Sequence, residues 1–370
     1  MHVLVYGFSG KILGGIETFI MNMNEHMSPD TVFDYIIDGD ECVYADRIAQ
    51  RGGSIFYVPG VKRHPLGYVR HFRRILREQK AKGTTVLYIQ LFSMANMLPA
   101  ILGRRAGYKV ILHAHNNGLQ NKNSIYKFIH LLGKRITHRD DYIRFTNSSL
   151  SSDFMFGKGV KSELIYNAID TQKFSFHQEI REKVRTEQGC GDKTVVGFVG
   201  RFMLQKNPVF MIQVFAEMLK MKPDCELWIV GEGELKEVMR QEIDKHGISS
   251  AVKWLGRRND VEELMQGMDL LLQPSLFEGL GIVLIEAQAT GLPVVSTADV
   301  VPIEAKATER IRFVGLHDSP SIWASACVEN TYRQSDRSKA DLPDYFKIEK
   351  EAKRLEVKLK NIEVVWQNSN

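Results

Sequence analysis

Short apolar runs alternate with amphipathic helical segments along almost the whole chain. In the first half, the runs that predict strands are Val3–Tyr6, Tyr35–Ile37, Ile55–Val58, Val86–Ile89, Val110–His113, Tyr142–Phe145 and Glu163–Tyr166. In the second half they are Val195–Val199, Leu227–Val230, Val252–Leu255, Leu270–Gln273 and Pro293–Ser296, with helices starting near Pro208, Glu234, Asp260 and Ile282. Strands and helices that alternate in this way predict parallel sheets of the doubly wound type.

Two such series in a chain of 370 residues predict two Rossmann-like domains. We expect the first domain over residues 1–167 and the second over 168–345, joined by the polar segment 167–193. A charged, amphipathic helix over Phe346–Ile362 is expected to pack back across the domains, so that residues 346–370 return to the first one.

The composition excludes several classes of protein. No apolar run reaches the roughly 18 residues of a membrane-spanning helix. The N-terminus has a buried-strand pattern instead of a signal peptide, which favours the cytosol. The cysteines are far apart, which indicates four buried thiols and argues against a zinc site or disulfides; they are Cys42, Cys190, Cys225 and Cys327.

The positive charge is concentrated in the first half. Residues 1–165 hold 22 basic and 13 acidic residues, and the stretch Arg51–Arg144 holds 18 basic and 3 acidic ones. Solvated helix faces are one explanation. The other is a surface that meets anionic lipid headgroups or a polyanionic acceptor. Nucleic acid is less favoured, because no recognition motif accompanies the charge.

Open parallel sheets bind ligands beyond the carboxyl ends of their strands, so the segments after the strands are informative. The segment Gly7–Glu17 follows the first strand and carries Gly14 and Gly15. Glycines there allow a ligand to approach the backbone at a helix N-terminus. A tight turn without a ligand is one alternative. A dinucleotide site with Asp38 or Asp40 on the ribose is another, although the glycine spacing differs from that fingerprint.

Two histidines come at the end of the strand Val110–His113. We expect one of the pair to point sideways into packing and favour His115 as the member that faces the ligand. A structural histidine is the alternative for both His113 and His115. A third residue with metal-ligand spacing does not follow, so a metal site is not predicted.

The second domain opens with Gly200, Arg201, Lys206, Asn207 and Pro208. Asn207 is expected to be the N-cap and Pro208 the first residue of a helix. Two cations beside a helix N-terminus predict a diphosphate site. Glycine loops after the next two strands suit a nucleoside base and ribose; they carry Gly231 and Glu232, and Gly256.

The segment Phe277–Glu286 holds two glutamates around a glycine-rich turn. Glu278 lies in the loop, and Glu286 lies about two helical turns further on in an apolar run. Loop amides and a helix N-terminus can face phosphate, and carboxylates can accept hydrogen bonds from sugar hydroxyls. Two exposed glutamates on an ordinary helix are the alternative.

Together these motifs resemble the retaining glycosyltransferases of family 4, which have the GT-B fold of two Rossmann-like domains facing a central cleft. The general look is that of bacterial enzymes that build capsular, exopolysaccharide or cell-wall glycans. The resemblance covers nearly the whole chain and rests on six segments in the family's order: residues 14–17, the loop at His115, and residues 200–207, 230–233, 277–286 and 289–295.

The resemblance implies a role for each matching residue. Arg201 and Lys206 would hold the donor's diphosphate, and Gly15 would approach the phosphates. Glu286 would bind ribose hydroxyls, and Glu278 would contact the transferred sugar. The remaining residues implied at the donor are Gly14, Gly200, Gly231, Glu232, Gly256, and the backbone amides of Gly279, Leu280, Gly281 and Ile282.

The resemblance also places His115 at the reaction centre and implies catalysis without a metal or other cofactor. The loop Thr297–Glu304 departs from the family pattern of Gly-Gly followed by Glu, so phosphate contacts from it are not implied.

The expected activity is transfer of a sugar from a nucleotide-diphosphate donor, UDP-linked, to a hydroxyl of a lipid-linked or growing glycan. The expected place is the cytoplasm, with peripheral contact to an anionic membrane through Arg51–Arg144. A nucleotide-sugar epimerase and a non-catalytic protein that binds sugar nucleotides are the alternatives.

Overall fold

A computed structural model describes residues 1–11, 14–119, 123–137, 142–332, 336–338 and 340–367. It divides the chain into unit 1, formed by Met1–Ala168 and Lys347–Asn370, and unit 2, formed by Ile169–Phe346. Ile12 and Leu13 of the glycine-rich segment, and Lys122 and Arg139 of the basic stretch, lie outside the described residues.

The described residues of unit 1 begin with seven strands and six helices in alternation. In chain order they are β1 (His2–Tyr6), α1 (Gly15–Glu25), β2 (Val32–Asp38), α2 (Ala45–Gln50), β3 (Ile55–Val58), α3 (Pro65–Ala81), β4 (Val86–Leu91), α4 (Leu98–Arg105), β5 (Lys109–Ala114), α5 (Ser124–Thr137), β6 (Tyr142–Thr146), α6 (Ser149–Met155) and β7 (Glu163–Leu164). The strands form one parallel sheet in the order β3-β2-β1-β4-β5-β6-β7.

Successive residues of β1 point to opposite faces of this sheet, as the pleat requires. Val3 and Val5 belong to the apolar cluster that α1 covers, and Leu4 belongs to the cluster that α3 and α4 cover. Because both faces are buried, the central strands read as continuous apolar runs. This pattern explains why the sequence located them correctly.

Where the structure describes it, unit 2 repeats the scheme with six strands and six helices. In chain order they are α7 (Gln178–Gln188), β8 (Thr194–Val199), α8 (Pro208–Met221), β9 (Cys225–Val230), α9 (Lys236–His246), β10 (Val252–Gly256), α10 (Val261–Gly267), β11 (Leu270–Gln273), α11 (Ile282–Ala289), β12 (Val294–Thr297), β13 (Ile311–Val314) and α12 (Pro320–Tyr332). The parallel sheet has the order β10-β9-β8-β11-β12-β13. The prediction of two doubly wound parallel sheets is confirmed.

The chain then returns to unit 1 as α13 (Ile348–Gln367). Helix α13 packs beside α1, and its Ala352, Leu355 and Leu359 join the same apolar cluster. Two buried carboxylates fix it: Glu356 accepts a hydrogen bond from Thr31 Oγ1 at 2.8 Å, and Glu351 accepts one from Tyr166 N at 2.8 Å.

Two expectations are corrected, and two elements that the sequence did not predict are added. The polar segment 167–193 is not a linker, because it contains α7, which packs against α10 inside unit 2. The sequence reading also missed β13 and α12. Finally, all four cysteines are free thiols but Cys42 is only half-buried. Among the described residues, no helix has the length and apolar character that a membrane span requires.

Candidate functional site

The strand order of unit 2 reverses between β8 and β11. In open parallel sheets the crevice at such a reversal, beyond the carboxyl ends of the strands, is where ligands bind. The two loops that border this crevice are residues 200–207, after β8, and 274–281, after β11. They are the two segments in which the sequence placed the diphosphate site and the glutamate motif.

The loop after β8 presents Lys206 at the start of a helix. A short 3-10 turn over Leu204–Lys206 ends at Asn207, whose φ of 52° is left-handed, and α8 begins at Pro208. Asn207 is therefore the N-cap position, as predicted, but its side chain makes no capping hydrogen bond. Arg201 leaves β8 directly after Gly200 and is exposed.

Lys206 and Glu278 form a close ion pair across the crevice. Lys206 Nζ lies 2.5 Å from Glu278 Oε1, and their side chains are only 17% and 6% exposed. The Ser275 hydroxyl donates a second hydrogen bond to the same oxygen at 2.7 Å. This buried ion pair joins the two predicted motifs into one site.

Backbone hydrogen bonds tie the two loops together around this pair. Leu276 N donates to Gln205 O at 2.8 Å, and Gln205 Nε2 donates to Phe277 O at 3.0 Å. Glu278 N in turn donates to Val300 O at 3.3 Å. The loop Thr297–Glu304 that departs from the family pattern thus supports the backbone of Glu278.

Helix α11 points its N-terminus into the same crevice. Gly281 is its N-cap with a φ of 81°, and a Cβ there would lie 2.9 Å from Leu284 Cδ1, so the position requires glycine. Among the described residues, no side chain caps this end. The first amide N–H groups of a helix lack partners within it; Leu284 N donates to Gly281 O at 2.9 Å, which leaves the amides of Ile282 and Val283 available to an anion. Gly279 and Leu280 are buried in the preceding turn.

Glu286 projects from the second turn of α11 and is half-buried. Burial raises the pKa of its carboxyl to about 7, against the attraction of Lys173 and Lys206, which favours the ionised form. Lys173 itself pairs with Glu262 at 3.0 Å. The Glu286 carboxyl therefore gains or loses its proton near neutral pH.

Close contacts between backbones explain why glycines occupy the neighbouring loops. Gly231 has a φ of 134°, and a Cβ on it would lie 2.0 Å from Gly200 O. Its N–H donates to Gly256 O at 2.8 Å. The glycines therefore let three loops touch at the rim of the sheet. Glu232 is exposed and pairs with Lys236 at 3.0 Å.

The sequence reading missed Gln273 at this site. It is the last residue of β11 and fully buried, and neither its Oε1 nor its Nε2 has a hydrogen-bond partner among the described residues. A Cβ on Gly200 would lie 3.9 Å from its Nε2, which places the amide beside the crevice. The signal in the sequence that could have identified Gln273 is a glutamine at the end of an otherwise apolar strand.

The glycine-rich loop of unit 1 is held by a buried carboxylate. Glu17, which is 2% exposed, accepts a hydrogen bond from Ser9 N at 3.1 Å. Gly14 is the N-cap of α1 in an extended conformation, and Gly15 is the first helical residue. A Cβ on Gly15 would meet no atom of the described residues within 4 Å. The packing of unit 1 therefore does not explain a glycine at position 15.

The expectation that one histidine points away from the other is wrong. Residues i and i+2 of an extended segment share a face, and the rings of His113 and His115 lie 4.0 Å apart. Both are buried: Tyr88 Oη lies 2.6 Å from His113 Nδ1, and Gln90 Oε1 lies 2.7 Å from His115 Nε2. Burial lowers the pKa of His115 to about 3, so the ring is neutral at physiological pH.

A cavity of about 390 Å³ opens at the corresponding reversal in unit 1, between β1 and β4. Tyr6 Oη donates to Asp38 Oδ2 at 3.1 Å within it, and Ser93 Oγ lies 2.6 Å from Tyr126 Oη. Asp38 ends β2, where a dinucleotide site would hold its ribose, but its carboxylate is engaged by Tyr6. The lining mixes aromatic rings with hydroxyl, amide and carboxylate groups: Tyr6, Asp38, Gln90, Phe92, Ser93, Asn96 and Tyr126.

Residues 180–310 match the family model described as Glycosyl transferases group 1. Unit 2 carries a glycosyltransferase domain of this group. The match covers β8 to β12, and with them Lys206, Glu278 and Glu286.

Similar proteins extend the comparison to the rest of the chain. EpsF of Bacillus subtilis (strain 168), which is described as a glycosyltransferase, is 28% identical over 334 residues, which are 88% of this chain and 85% of EpsF. An Escherichia coli protein, UDP-Gal:alpha-D-GlcNAc-diphosphoundecaprenol alpha-1,3-galactosyltransferase, is 25% identical over 213 residues, 54% of either chain. The crystal structure of Anabaena Alr3699/HepE in complex with UDP matches with a TM-score of 0.73 at 19% identity, over 100% of this chain and 99% of that one.

Residues 180–310 thus belong to the glycosyl transferases group 1 family, and the chain has the GT-B fold of two Rossmann-like parallel-sheet units. Its assignment to family 4 stays a prediction. Among the described residues, no group of three or more histidine, cysteine, aspartate or glutamate side chains is arranged to hold a metal ion. That observation concerns the side chains alone, and metal-independent catalysis also stays a prediction.

Proposed function

We propose that this glycosyltransferase moves a sugar from a UDP-linked donor to a hydroxyl of a lipid-linked or growing surface glycan, with retention of anomeric configuration and without a metal ion. The observation that carries the proposal is the Lys206–Glu278 pair beside the open N-terminus of α11, at the strand reversal of the group 1 domain. It offers a cation and helix amides to phosphate, and a carboxylate to sugar hydroxyls.

The similar proteins support UDP and a lipid-linked acceptor. The printed name of the Escherichia coli protein gives a UDP-galactose donor and a diphosphoundecaprenol acceptor. Structures of the Anabaena protein contain UDP, UDP with glucose, and UDP-glucose. The name of another similar protein, from Salmonella typhi, refers to biosynthesis of Vi polysaccharide. These properties belong to those proteins, and we extend them to this chain as a proposal.

Donor binding would exchange the partners of the ion pair. Lys206 would leave Glu278 for the diphosphate, and Glu278 would then accept hydrogen bonds from the sugar. Arg201, which is exposed at the rim, would add a second cation. Glu286 would accept hydrogen bonds from ribose hydroxyls, for which its half-buried position on α11 is suited.

In the proposed transfer, the bond between the anomeric carbon and the diphosphate oxygen breaks, and a bond to the acceptor oxygen forms on the same face. The acceptor's proton passes to the departing diphosphate oxygen, so no protein carboxylate needs to act as nucleophile. Lys206, Arg201 and the α11 amides would stabilise the charge on the diphosphate. His115, which the resemblance places at the reaction centre, is neutral, and its Nδ1 has no hydrogen-bond partner among the described residues.

The cavity of unit 1 is our candidate for the acceptor's sugar. Aromatic rings suit the apolar faces of a sugar, and the Asp38 carboxylate and Asn96 amide suit its hydroxyls. Lys11, at the same cavity, would meet a phosphate of a lipid-linked acceptor. The basic stretch Arg51–Arg144 would provide peripheral contact with an anionic membrane at the cytoplasmic face.

A panel of nucleotide sugars screened by thermal shift, followed by product analysis with and without acceptor glycans, tests the proposal. We expect UDP-sugars to raise the midpoint and turnover to require an acceptor. Conversion of the donor's sugar to its epimer without any acceptor would favour an epimerase, and binding without turnover would favour a non-catalytic protein. Binding of NAD and of no nucleotide sugar would overturn the proposal.

The Lys206→Ala variant tests the role of the cation separately. Removal of one group that stabilises developing charge lowers turnover by about 10²-fold or more. Turnover near that of the wild type at saturating donor would refute this role for Lys206.

A further inference from the structure

Helix α5 is packed with its polar side inward and its apolar side outward. A helix on the surface of a globular protein normally buries its apolar stripe against the core. In α5 the residues that face the protein are Tyr126, His130, Gly133 and Thr137, at the helical spacing of three or four. The large apolar side chains that face solvent are Ile125, Phe128, Ile129, Leu131 and Leu132.

Specific contacts fix this orientation. His130 Nδ1 accepts a hydrogen bond from Met94 N at 3.1 Å, and Tyr126 Oη lies 2.6 Å from Ser93 Oγ. Gly133 lies directly against the backbone: a Cβ there would be 1.9 Å from Met94 O. Any rotation of the helix that buried its apolar side would break these contacts, so the exposed face belongs to the fold.

The outer face combines apolar area with positive charge. Phe128 is 60% exposed, Ile125 69% and Leu131 58%. The helix contains no acidic residue, and Arg135 lies on the same outer side. Lys127, which is also exposed, borders the apolar sector. An apolar sector with basic residues and no acidic ones is complementary to the interface of an anionic bilayer.

We propose that the outer face of α5 inserts at the surface of a bilayer that contains anionic lipids, and that this contact holds the chain at the membrane. The proposal deepens the proposed function, because a lipid-linked acceptor lies in such a bilayer. Tyr126 joins the two, since it stands on the inner side of α5 and lines the cavity of unit 1. Docking through α5 would bring that cavity to the level of the lipid headgroups.

The basic stretch predicted from the sequence gives only part of this surface. Charge alone predicts binding that high salt abolishes. Because α5 adds apolar side chains that enter the interface, we expect binding to weaken with salt but to persist in part. Peripheral attachment of this kind needs no membrane-spanning helix.

The test measures co-sedimentation of the full chain with vesicles of phosphatidylcholine alone and of an equimolar mixture with phosphatidylglycerol. The variant Phe128→Ser with Leu132→Ser removes two side chains of the face. The control, Val43→Ser with Val357→Ser, removes two exposed apolar side chains elsewhere in unit 1. Far-UV circular dichroism and the thermal midpoint verify that both variants fold.

We expect the wild type and the control to bind the anionic vesicles more strongly than the neutral ones. The α5 variant should bind the anionic vesicles at least about tenfold more weakly, since two large apolar side chains no longer leave water. Wild-type levels of binding by the α5 variant, or no binding by the wild type, would overturn the proposal. So would a solution dimer that the α5 variant splits, because the face would then meet a second copy of the chain.

UDP-induced thermal stabilisation separates this proposal from the proposed function. UDP would bind unit 2, and α5 lies in unit 1, so both variants should respond to UDP as the wild type does. A wild type that ignores UDP but binds vesicles would refute the donor site and leave the membrane contact standing. The reverse pattern would refute the membrane contact alone.

Discussion

Replacing Lys206 with methionine should reveal how much its buried ion pair with Glu278 contributes to the free energy of unfolding. Methionine keeps the length and apolar stem of the side chain but removes the charge. Glu278 then stays 6% exposed, with the Ser275 hydroxyl as its remaining donor among the described residues. Removing one partner of a buried pair costs about 3–5 kcal/mol, because the other charge is left uncompensated.

We therefore expect Lys206→Met to lower the free energy of unfolding by about 3–5 kcal/mol at pH 7. The uncompensated Glu278 carboxylate should cause this loss, because methionine keeps the packing of the apolar stem.

Urea denaturation measures this effect through tryptophan fluorescence. Trp228, Trp254 and Trp323 all lie in unit 2, so the signal reports chiefly on that unit. Adding Glu278→Gln to Lys206→Met should recover part of the stability, because no buried charge is then left uncompensated, but not the activity.

Lys220→Met provides the control, because Lys220 belongs to an exposed pair with Glu217. It should change stability little. A double variant, Lys206→Met with Glu278→Gln, that is no more stable than Lys206→Met would refute the reasoning, since it would show that lost packing, and not an uncompensated carboxylate, destabilises the single variant.

Three further predictions concern other residues of the two units. The affinity for UDP-glucose, measured by calorimetry, should fall about tenfold from pH 8 to pH 6, because the pKa of Glu286 is about 7 and its ionised form accepts the ribose hydrogen bonds. The phosphates of UDP-glucose do not titrate in this range. Glu286→Gln should remove the pH dependence, and a variant that retains it would contradict the assignment. Gly231→Ala should lower the free energy of unfolding by about 3 kcal/mol or more, since its Cβ would meet Gly200 O at 2.0 Å with a left-handed φ; a midpoint like that of the wild type would refute this. Gly15→Ala should leave the thermal midpoint unchanged and lower the transfer rate, because none of the described residues has an atom within 4 Å of that Cβ position; an unchanged rate would remove Gly15 from the donor site.

The parts of the fold that the sequence predicts are those buried on both faces. The central strands are continuous apolar runs, and they were located within a few residues of their observed ends. The edge strand β13 is only half-buried at Arg312 and Phe313, so its pattern is weak. Helix α7 buries only Val184, and its charged composition is also that of a linker. Exposed elements carry little of the periodicity on which sequence reading depends.

The individual site residues could be predicted for a related reason: each follows a buried strand, where polar residues and glycines are conspicuous. Their contacts could not be predicted. The polar inner side of α5 is a second example, because His130 and Gly133 interrupt an apolar run without any sign of what they touch. Such contacts depend on loops from elsewhere in the sheet, and residue spacing does not encode them.

The pairing of Lys206 with Glu278 shows what the strand order adds to the sequence. The two residues are 72 positions apart, and alternation of strands and helices would also allow sheets in which β8 and β11 are not neighbours. Only the observed order, with β8 beside β11, joins their loops in one crevice.

For the proposed reaction, the ion pair couples binding of the donor's diphosphate to binding of its sugar. A phosphate that takes Lys206 deprives Glu278 of its cation, and a sugar whose hydroxyls donate to Glu278 supplies the compensation. A nucleotide sugar satisfies both groups at once, whereas a nucleotide alone satisfies only the lysine.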